Sequence, residues 1–435
     1  MKVIGIRRED KIALERRVPI IPSHIKILEN EMNIKTVLES SNNRIFSDER
    51  YAEMGAEIVD SVDNCDIIFG VKEIPIERIQ EDKTYIFFPH VVKGQRRNME
   101  MLKTLREKRC TLIDYECITD DNGHRLLFFS KFAGYAGMID TLWSMGQRYQ
   151  KLGIETPFLD LKQAWEYNSL DEARRDLTIL GHKIARDGLP KELGPVVIGF
   201  AGYGNVYSGA SEMLDFLPVK KIRVPELMEL EQSEILANNI IYKVVFREEH
   251  MVSNRERYPF DLEEYKNFPD RYESKFEQYL PYLSVLVNCI NWSDRYPRLV
   301  TLNYLRENYN ANSKLKVIGD LACDVHGAIE CTAAATTSDN PVYVYNPAEN
   351  TMTYGSDGEG LLIMSVGILP SELPRESSIF FSNALLHYIP SIVNADYSDS
   401  YEDIELPSDI KRAIILKKGE LSPLYSYLEN RINLK

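Results

Sequence analysis

The sequence predicts an α/β protein of two domains, each built on a doubly wound, mainly parallel sheet. Three observations carry that prediction. Through the first 130 residues short apolar runs alternate with helical stretches, the pattern of a parallel sheet covered on both faces. A second block of the same kind occupies residues 195–370. It opens on strand, glycine turn and helix in immediate succession: Pro195-Val-Val-Ile-Gly-Phe-Ala201, then Gly202-Tyr-Gly204-Asn-Val-Tyr-Ser-Gly209.

In the first block Val3–Ile6, Lys35–Glu39, Asp66–Val71, Thr84–Phe88 and Thr111–Tyr115 read as strands. Pro22 opens a helix from the first turn, where its missing N–H is tolerated. Ser47 can cap the next helix, although Arg50 stands where a capping box would carry an acid. Four strands are followed by residues able to do chemistry. Arg7, Arg8 and Glu9 follow the first, Lys72 and Glu73 follow Val71, His90 follows Phe88-Pro89, and Glu116 follows Tyr115. Open parallel sheets bind ligands outside the carboxyl ends of their strands. Any one of these residues is an ordinary polar start to a loop. Four such strand ends on one edge make a candidate site.

Residues 131–190 read as a helical bridge. Its first helix runs from Ala133 to Leu152, and a Gly134-Tyr-Ala-Gly137 start permits close packing. Ser169 caps a second helix, with Glu172 completing a capping box.

In the second block Val206, Ala210, Met213, Leu214 and Leu217 share one helix face. Gly202 allows a tight turn, and Gly204 lets backbone N–H groups approach a pyrophosphate at the helix N-terminus. Gly202, Gly204, Asn205 and Val206 are therefore the candidate dinucleotide contacts. The usual third glycine position is Tyr207, and the next glycine is Gly209. A GxG pair serves plain helix–strand packing as well; the flanking strand and helix favour the nucleotide. About twenty residues on, an acid would read a free ribose 2′-hydroxyl. Here the chain has Lys220-Lys-Ile-Arg223, with no acid in that stretch before Glu226. Arg223 favours a 2′-phosphate and equally fits a solvated strand end. NADP(H) is the favoured cofactor, with NAD(H) left open.

Further on, Ile240–Phe246 fits a strand or a short helix, and residues 257–280 read as a helical insertion. Leu283–Ile290 and Lys316–Asp320 read as strands, with Asp324 just beyond the second. Asp357-Gly-Glu-Gly360 is a glycine turn, and Glu376–Asn394 reads as a helix returning to the first domain.

Composition narrows the class. The 435 residues are 44% hydrophobic and 27% charged, which is ordinary for globular domains. A net charge of −14 argues against a nucleic-acid or anionic-membrane partner. The six cysteines form no CxxC pair and the histidines no HxxxH, so no metal is expected and a reducing compartment is. The amino-terminal stretch reaches Arg7 without an apolar signal core, and no run is long enough to span a bilayer. The expectation is a cytoplasmic protein, with a homo-oligomer left open.

Several stretches then occur together, in order: Val71-Lys-Glu-Ile-Pro75, Phe88-Pro-His90, Asp114-Tyr-Glu116, Phe132-Ala-Gly-Tyr-Ala-Gly137 and Gly202-Tyr-Gly-Asn-Val206. Glu264-Tyr-Lys-Asn-Phe-Pro-Asp-Arg-Tyr272, Asn291-Trp292, Asp320-Leu-Ala-Cys-Asp324 and Leu369-Pro-Ser-Glu-Leu-Pro374 follow. With these the chain resembles the lysine–2-oxoglutarate reductase half of bifunctional aminoadipic semialdehyde synthase. That half is related to lysine-forming saccharopine dehydrogenases and, more distantly, to alanine dehydrogenase and the transhydrogenase N-terminal part. The resemblance covers nearly the whole chain, and the glutamate-forming half is expected to be absent.

The resemblance implies two Rossmann-like domains flanking a cleft, the formate/glycerate dehydrogenase-like architecture. The domains would be 1–135 completed by 371–435, a bridge over 136–190, and a nucleotide domain over 191–370. It implies reductive condensation of lysine with 2-oxoglutarate to saccharopine, with domain closure over the imine. Lys72 and His90 would be the acid–base pair. Glu73 and Glu116 would tune Lys72 and hold lysine. Arg17, in Leu14-Glu-Arg-Arg17, and Arg125, in Asn122-Gly-His-Arg125, would clamp carboxylates. Asp320 and Asp324 would lie at the nicotinamide end. Gly367 stands where relatives carry an acid, and Cys323 and His326 where relatives vary, which bears on substrate choice. The alternatives are an alanine dehydrogenase-like or other opine-type enzyme, or a non-catalytic nucleotide-binding module.

Overall fold

Strand β1 (Lys2–Ile6) pairs in parallel with β2 (Ile34–Glu39), from Lys2 opposite Ile34 to Ile6 opposite Leu38. Strands β3 (Glu57–Val59), β4 (Ile67–Phe69), β5 (Thr84–Phe87) and β6 (Thr111–Asp114) join the same parallel sheet in the order β3-β2-β1-β4-β5-β6. β4, β5 and β6 are buried at every position, which is why they read as unbroken apolar runs. The strand order reverses between β1 and β4, so the loops after them diverge to leave a crevice. The structure, a computed structural model, describes residues 1–94, 96–230 and 237–432.

Pro22 does open a helix, Pro22–Met32, which ends on Asn33 in the left-handed conformation at φ 56°. Ser47 precedes the helix Asp48–Glu53 without making a cap hydrogen bond. Its neighbour Asp48 instead accepts from the Ser40 hydroxyl at 2.8 Å and the Ser41 N–H at 3.0 Å.

The second sheet holds β7 (Val197–Ala201), β8 (Val219–Ile222) and β9 (Ile241–Phe246). A separate antiparallel pair follows, β10 (Val252–Asn254) with β11 (Tyr272–Ser274). The main sheet then continues through β12 (Val285–Asn288), β13 (Val317–Asp320), β14 (Val342–Asn346), β15 (Thr351–Tyr354) and β16 (Leu361–Met364). Its order is β8-β9-β7-β12-β13-β16-β14-β15, with β14 antiparallel to both neighbours. The ambiguous run at 240–246 is thus a strand. The expected helical insertion over 257–280 is mostly not helical: it has one six-residue α-helix, Leu262–Asn267, then short 3₁₀ turns and β11. Pro259, Pro269 and Pro281 deny a longer helix its backbone donors.

Residues 136–190 lie within the compact unit Ser130–Leu373. Met138, Leu142, Phe158, Leu177 and Leu180 share one buried cluster with Phe200 and Val287 of the sheet. The helices Ser130–Lys151 and Asn205–Leu214 meet backbone to backbone. A Cβ on Gly134 would lie 2.0 Å from the Val206 carbonyl oxygen, and one on Gly209 2.1 Å from that of Lys131. The Ser169 hydroxyl accepts from the Glu172 N–H at 3.2 Å as expected. The Glu172 carboxylate accepts from the Asn168 N–H at 3.0 Å, one residue before the cap.

The other unit comprises Met1–Phe129 and the chain from Pro374 onward. The predicted returning helix is two, Pro374–Leu386 and Ile389–Asn394, broken before Pro390. Phe381 stacks on Phe129 at 4.5 Å and meets Tyr115 edge-on at 5.0 Å. β17 (Ile414–Lys417) then adds antiparallel to β6, and β18 (Glu420–Leu421) to β17. Among the described residues no helix is long and apolar enough to cross a membrane.

Candidate active site

The loops after β1, β4, β5 and β6 meet at the carboxyl edge of the first sheet. Glu9, after β1, accepts from the backbone N–H groups of Val71 (2.7 Å) and Lys72 (2.9 Å). That fixes the chain on which Lys72 stands. Burial pushes the Glu9 carboxyl up, partly opposed by Arg7. Burial lowers the Lys72 amine, and the Arg17 guanidinium lowers it further, against the attraction of Glu15, Glu73 and Glu9. Such an amine gives up its proton more readily than an exposed lysine, as a general base must.

Arg17 is buried, its guanidinium 4.3 Å over the Phe129 ring. Its fork is taken by Glu15, at 2.8 and 2.6 Å. Burial pushes the Glu15 carboxyl up, and Arg17 more than reverses this. Glu73 is buried, pairs with Lys11 at 3.1 Å, and is held below the usual carboxylate range by its own backbone N–H and by His90, Lys11 and Lys72, against the effect of burial.

His90 sits in the left-handed region at φ 50°, unusual for a residue with a side chain. Its Nδ1 lies 3.6 Å from the Glu116 carboxylate, and its ring stacks on Phe88 with centroids 6.1 Å apart. Glu116 also accepts from the half-exposed guanidinium of Arg125. His90 and Arg125 hold its carboxyl low. Beneath it, fully buried Asp114 accepts the Glu116 N–H at 2.8 Å, and burial pushes Asp114 up to about 8. Buried Asn98 joins the loops: its amide donates to the carbonyls of Pro89 (3.0 Å) and His90 (3.1 Å) and to Glu73 (3.4 Å).

Lys72 with Glu73, and His90 with Glu116 and Arg125, are therefore neighbours on one edge. Glu15 and Asn98 were missed by the sequence reading. Glu15 could have been suspected beside Arg17; Asn98, one polar residue in a polar helix, gave no signal.

In the second unit Gly202 has φ 96°, and its N–H donates to the Phe246 carbonyl at 3.1 Å. A Cβ there would lie 3.0 Å from Ile290 and 3.2 Å from the Cys289 carbonyl. Gly204 precedes the helix Asn205–Leu214, and a Cβ there would meet nothing within 4 Å. The space beside Gly204, at the start of that helix, is thus open, and a helix N-terminus is where a phosphate is favoured. Gly209, two positions past the usual third glycine, provides the close helix approach described above. Asp320, at the end of β13, is buried and accepts from Asn288 at 2.8 Å and Thr332 at 2.5 Å. Burial pushes it up to about 6. Asp324 is exposed four residues on. Arg223 is exposed at the end of edge strand β8, with its fork on Glu226 at 2.9 Å. Among the described residues no group of His, Cys, Asp and Glu is placed to hold a metal ion.

Residues 5–136 match the family model "Alanine dehydrogenase/PNT, N-terminal domain". The Arabidopsis thaliana protein named alpha-aminoadipic semialdehyde synthase is 37% identical over 98% of the chain, and the match covers 41% of that relative. The Emericella nidulans saccharopine dehydrogenase [NAD(+), L-lysine-forming] is 26% identical over 88% of the chain and 90% of its own length. The chain is homologous to both. It spans less than half the length of the alpha-aminoadipic semialdehyde synthases it matches. A solved L-alanine dehydrogenase shares its fold, with a TM-score of 0.63 and 19% identity over 99% of each chain.

Proposed function

We propose that the chain reductively condenses L-lysine with 2-oxoglutarate to saccharopine, using NADPH. The observation that carries this reading is the set of Lys72, Glu73, His90, Glu116 and Arg125 on one sheet edge, with Asn98 joining the Glu73 and His90 loops. Lysine must lose a proton before its ε-amine adds to the ketone. Lys72, lowered by burial and by Arg17, is suited to take it. The carbinolamine must then lose water, and His90, held against Glu116, is suited to protonate the departing hydroxyl. Arg125 offers a substrate carboxylate a planar cation that Glu116 already orients. Arg17, occupied by Glu15, acts on Lys72 through its charge, which lowers the amine, and meets a carboxylate only by sharing that fork. In the second unit Gly202, Gly204, Asn205 and Val206 would hold the pyrophosphate, with Asp320 and Asp324 toward the nicotinamide. The nicotinamide supplies the hydride that reduces the imine.

The test is nicotinamide oxidation by the purified protein with a panel of substrates. Turnover with lysine plus 2-oxoglutarate, and with neither alone, is the expected result. Turnover with pyruvate plus ammonia instead would make it alanine dehydrogenase-like. Cofactor binding with no turnover on any pair would leave a nucleotide-binding module.

A further inference from the structure

The strand that lies beside β7 is β9, and β8 is its outer neighbour. In a dinucleotide-binding sheet the ribose is read from the end of the strand adjacent to the glycine-turn strand. Here that strand end is Phe246, whose carbonyl receives the Gly202 N–H, so Arg247 leaves the sheet level with the glycine turn. Arg223 leaves β8 two residues lower, because Ile222 pairs with Val244. It also stands two strand spacings from β7, roughly 10 Å, against about 5 Å for β9.

The side chains agree. The Arg247 guanidinium lies 4.9 Å over the ring of Tyr203, the middle residue of the Gly202-Tyr203-Gly204 turn. The Tyr203 hydroxyl lies 3.1 and 3.3 Å from the two carboxylate oxygens of Glu248. Glu248 is thus engaged by the turn itself, and the strand's last residue, Phe246, is buried and carries no acid. Facing the same corner are the exposed Glu249 and the ring of His250, whose Nδ1 accepts the Arg247 N–H at 3.0 Å.

We propose that Arg247, laid on Tyr203, is the residue that selects a ribose 2′-phosphate, and that Arg223 is a surface residue paired with Glu226. The proposal rests on the nucleotide-binding half of the proposed function and not on the amino donor or the keto acid.

Calorimetry with 2′,5′-ADP and with 5′-AMP isolates the 2′-phosphate without any turnover. The wild-type protein is expected to prefer 2′,5′-ADP by about tenfold to a hundredfold, the effect of one charged hydrogen bond or two. Arg247→Ala should abolish that preference, with 5′-AMP affinity changed little, and Arg247→Lys should keep part of it. Arg223→Ala should keep all of it. Loss of the preference in Arg223→Ala and not in Arg247→Ala would overturn the assignment. So would equal wild-type affinities, or a preference for 5′-AMP, which would give the ribose to Glu248. If neither nucleotide binds, the nucleotide reading falls along with this proposal. Selective binding without saccharopine formation would sink only the substrate assignment.

Discussion

The Asn98 side-chain amide donates to the His90 carbonyl at 3.1 Å and reaches the Glu73 carboxylate at 3.4 Å. One neutral side chain so holds a residue with positive φ and a buried acid of the next loop. A left-handed conformation costs a residue with a Cβ roughly 1–2 kcal/mol, and Asn98 helps offset it. Asn98→Ala should lower stability by about 1–3 kcal/mol, the range for buried groups left without a partner. It should also cut kcat by roughly tenfold through a misplaced His90, with little change in the KM for lysine. A destabilised variant with unchanged kcat would leave Asn98 a purely structural role.

Lys72→Met should separate activity from stability. Loss of an acid–base group typically removes about 10²–10⁴ of the rate. The folded pKa of Lys72 is lowered, so the folded state binds fewer protons than the unfolded one between that value and about 10.4. Wild-type stability therefore rises with pH across that window, and the penalty for burying the charged amine is fully present below it. Lys72→Met should be more stable than wild type near pH 7, with the gap closing above pH ~10.4. Urea denaturation at several pH values reads this directly; a less stable Met variant at pH 7 would count against the buried, strained ammonium.

Asp114 gives the opposite slope. Its folded pKa of about 8 lies above the unfolded value of about 3.9. The folded state then holds an extra proton between those values, so this group's contribution falls as pH rises through the window and levels off above about 8. Asp114→Asn keeps an oxygen for the Glu116 N–H and removes the titration. It should flatten the stability profile between pH 5 and 8 and stabilise the protein at pH 8 by a few kcal/mol, on the order of 1.4 per pH unit. Parallel wild-type and variant profiles would show that Asp114 titrates normally.

Two glycines near one turn should fail differently. Gly209→Ala places a methyl 2.1 Å from the Lys131 carbonyl oxygen and should force the two helices apart, with a marked drop in Tm. Gly204→Ala meets nothing within 4 Å, so Tm should hold while nucleotide affinity falls by tenfold or more, the methyl filling the phosphate's space. Intact nucleotide binding in a folded Gly204→Ala protein would move the pyrophosphate elsewhere.

The parallel strands were legible because buried strands are written as short, continuous apolar runs, and their chemical ends followed from where those runs stop. The spatial order of strands was not, since nothing in the chain shows that β9, and not the earlier β8, lies beside β7. Arg223, basic among basic neighbours in the chain, stands on an edge strand in space and pairs with Glu226. Local spacing also hid competition for partners. Arg17 reads as a free fork until Glu15, two residues away, closes on it, and Ser47 reads as a cap although it makes no cap bond. The insertion at 257–280 was misread because its aromatic density resembles a helix face, while its prolines enforce turns.

β6 finds its outer partner in β17, which pairs Ile414 with Ile113 some 300 residues later in the chain. At a synthesis rate of roughly 5–20 residues per second, β6 waits on the order of 15–60 s on the ribosome before that partner exists. In that interval Ser130–Leu373, contiguous in the chain, can mature completely, whereas the portion translated first keeps a bare hydrogen-bonding edge. The amino-terminal part is thus made first and finished last, and a nascent-chain chaperone would find its longest opportunity there.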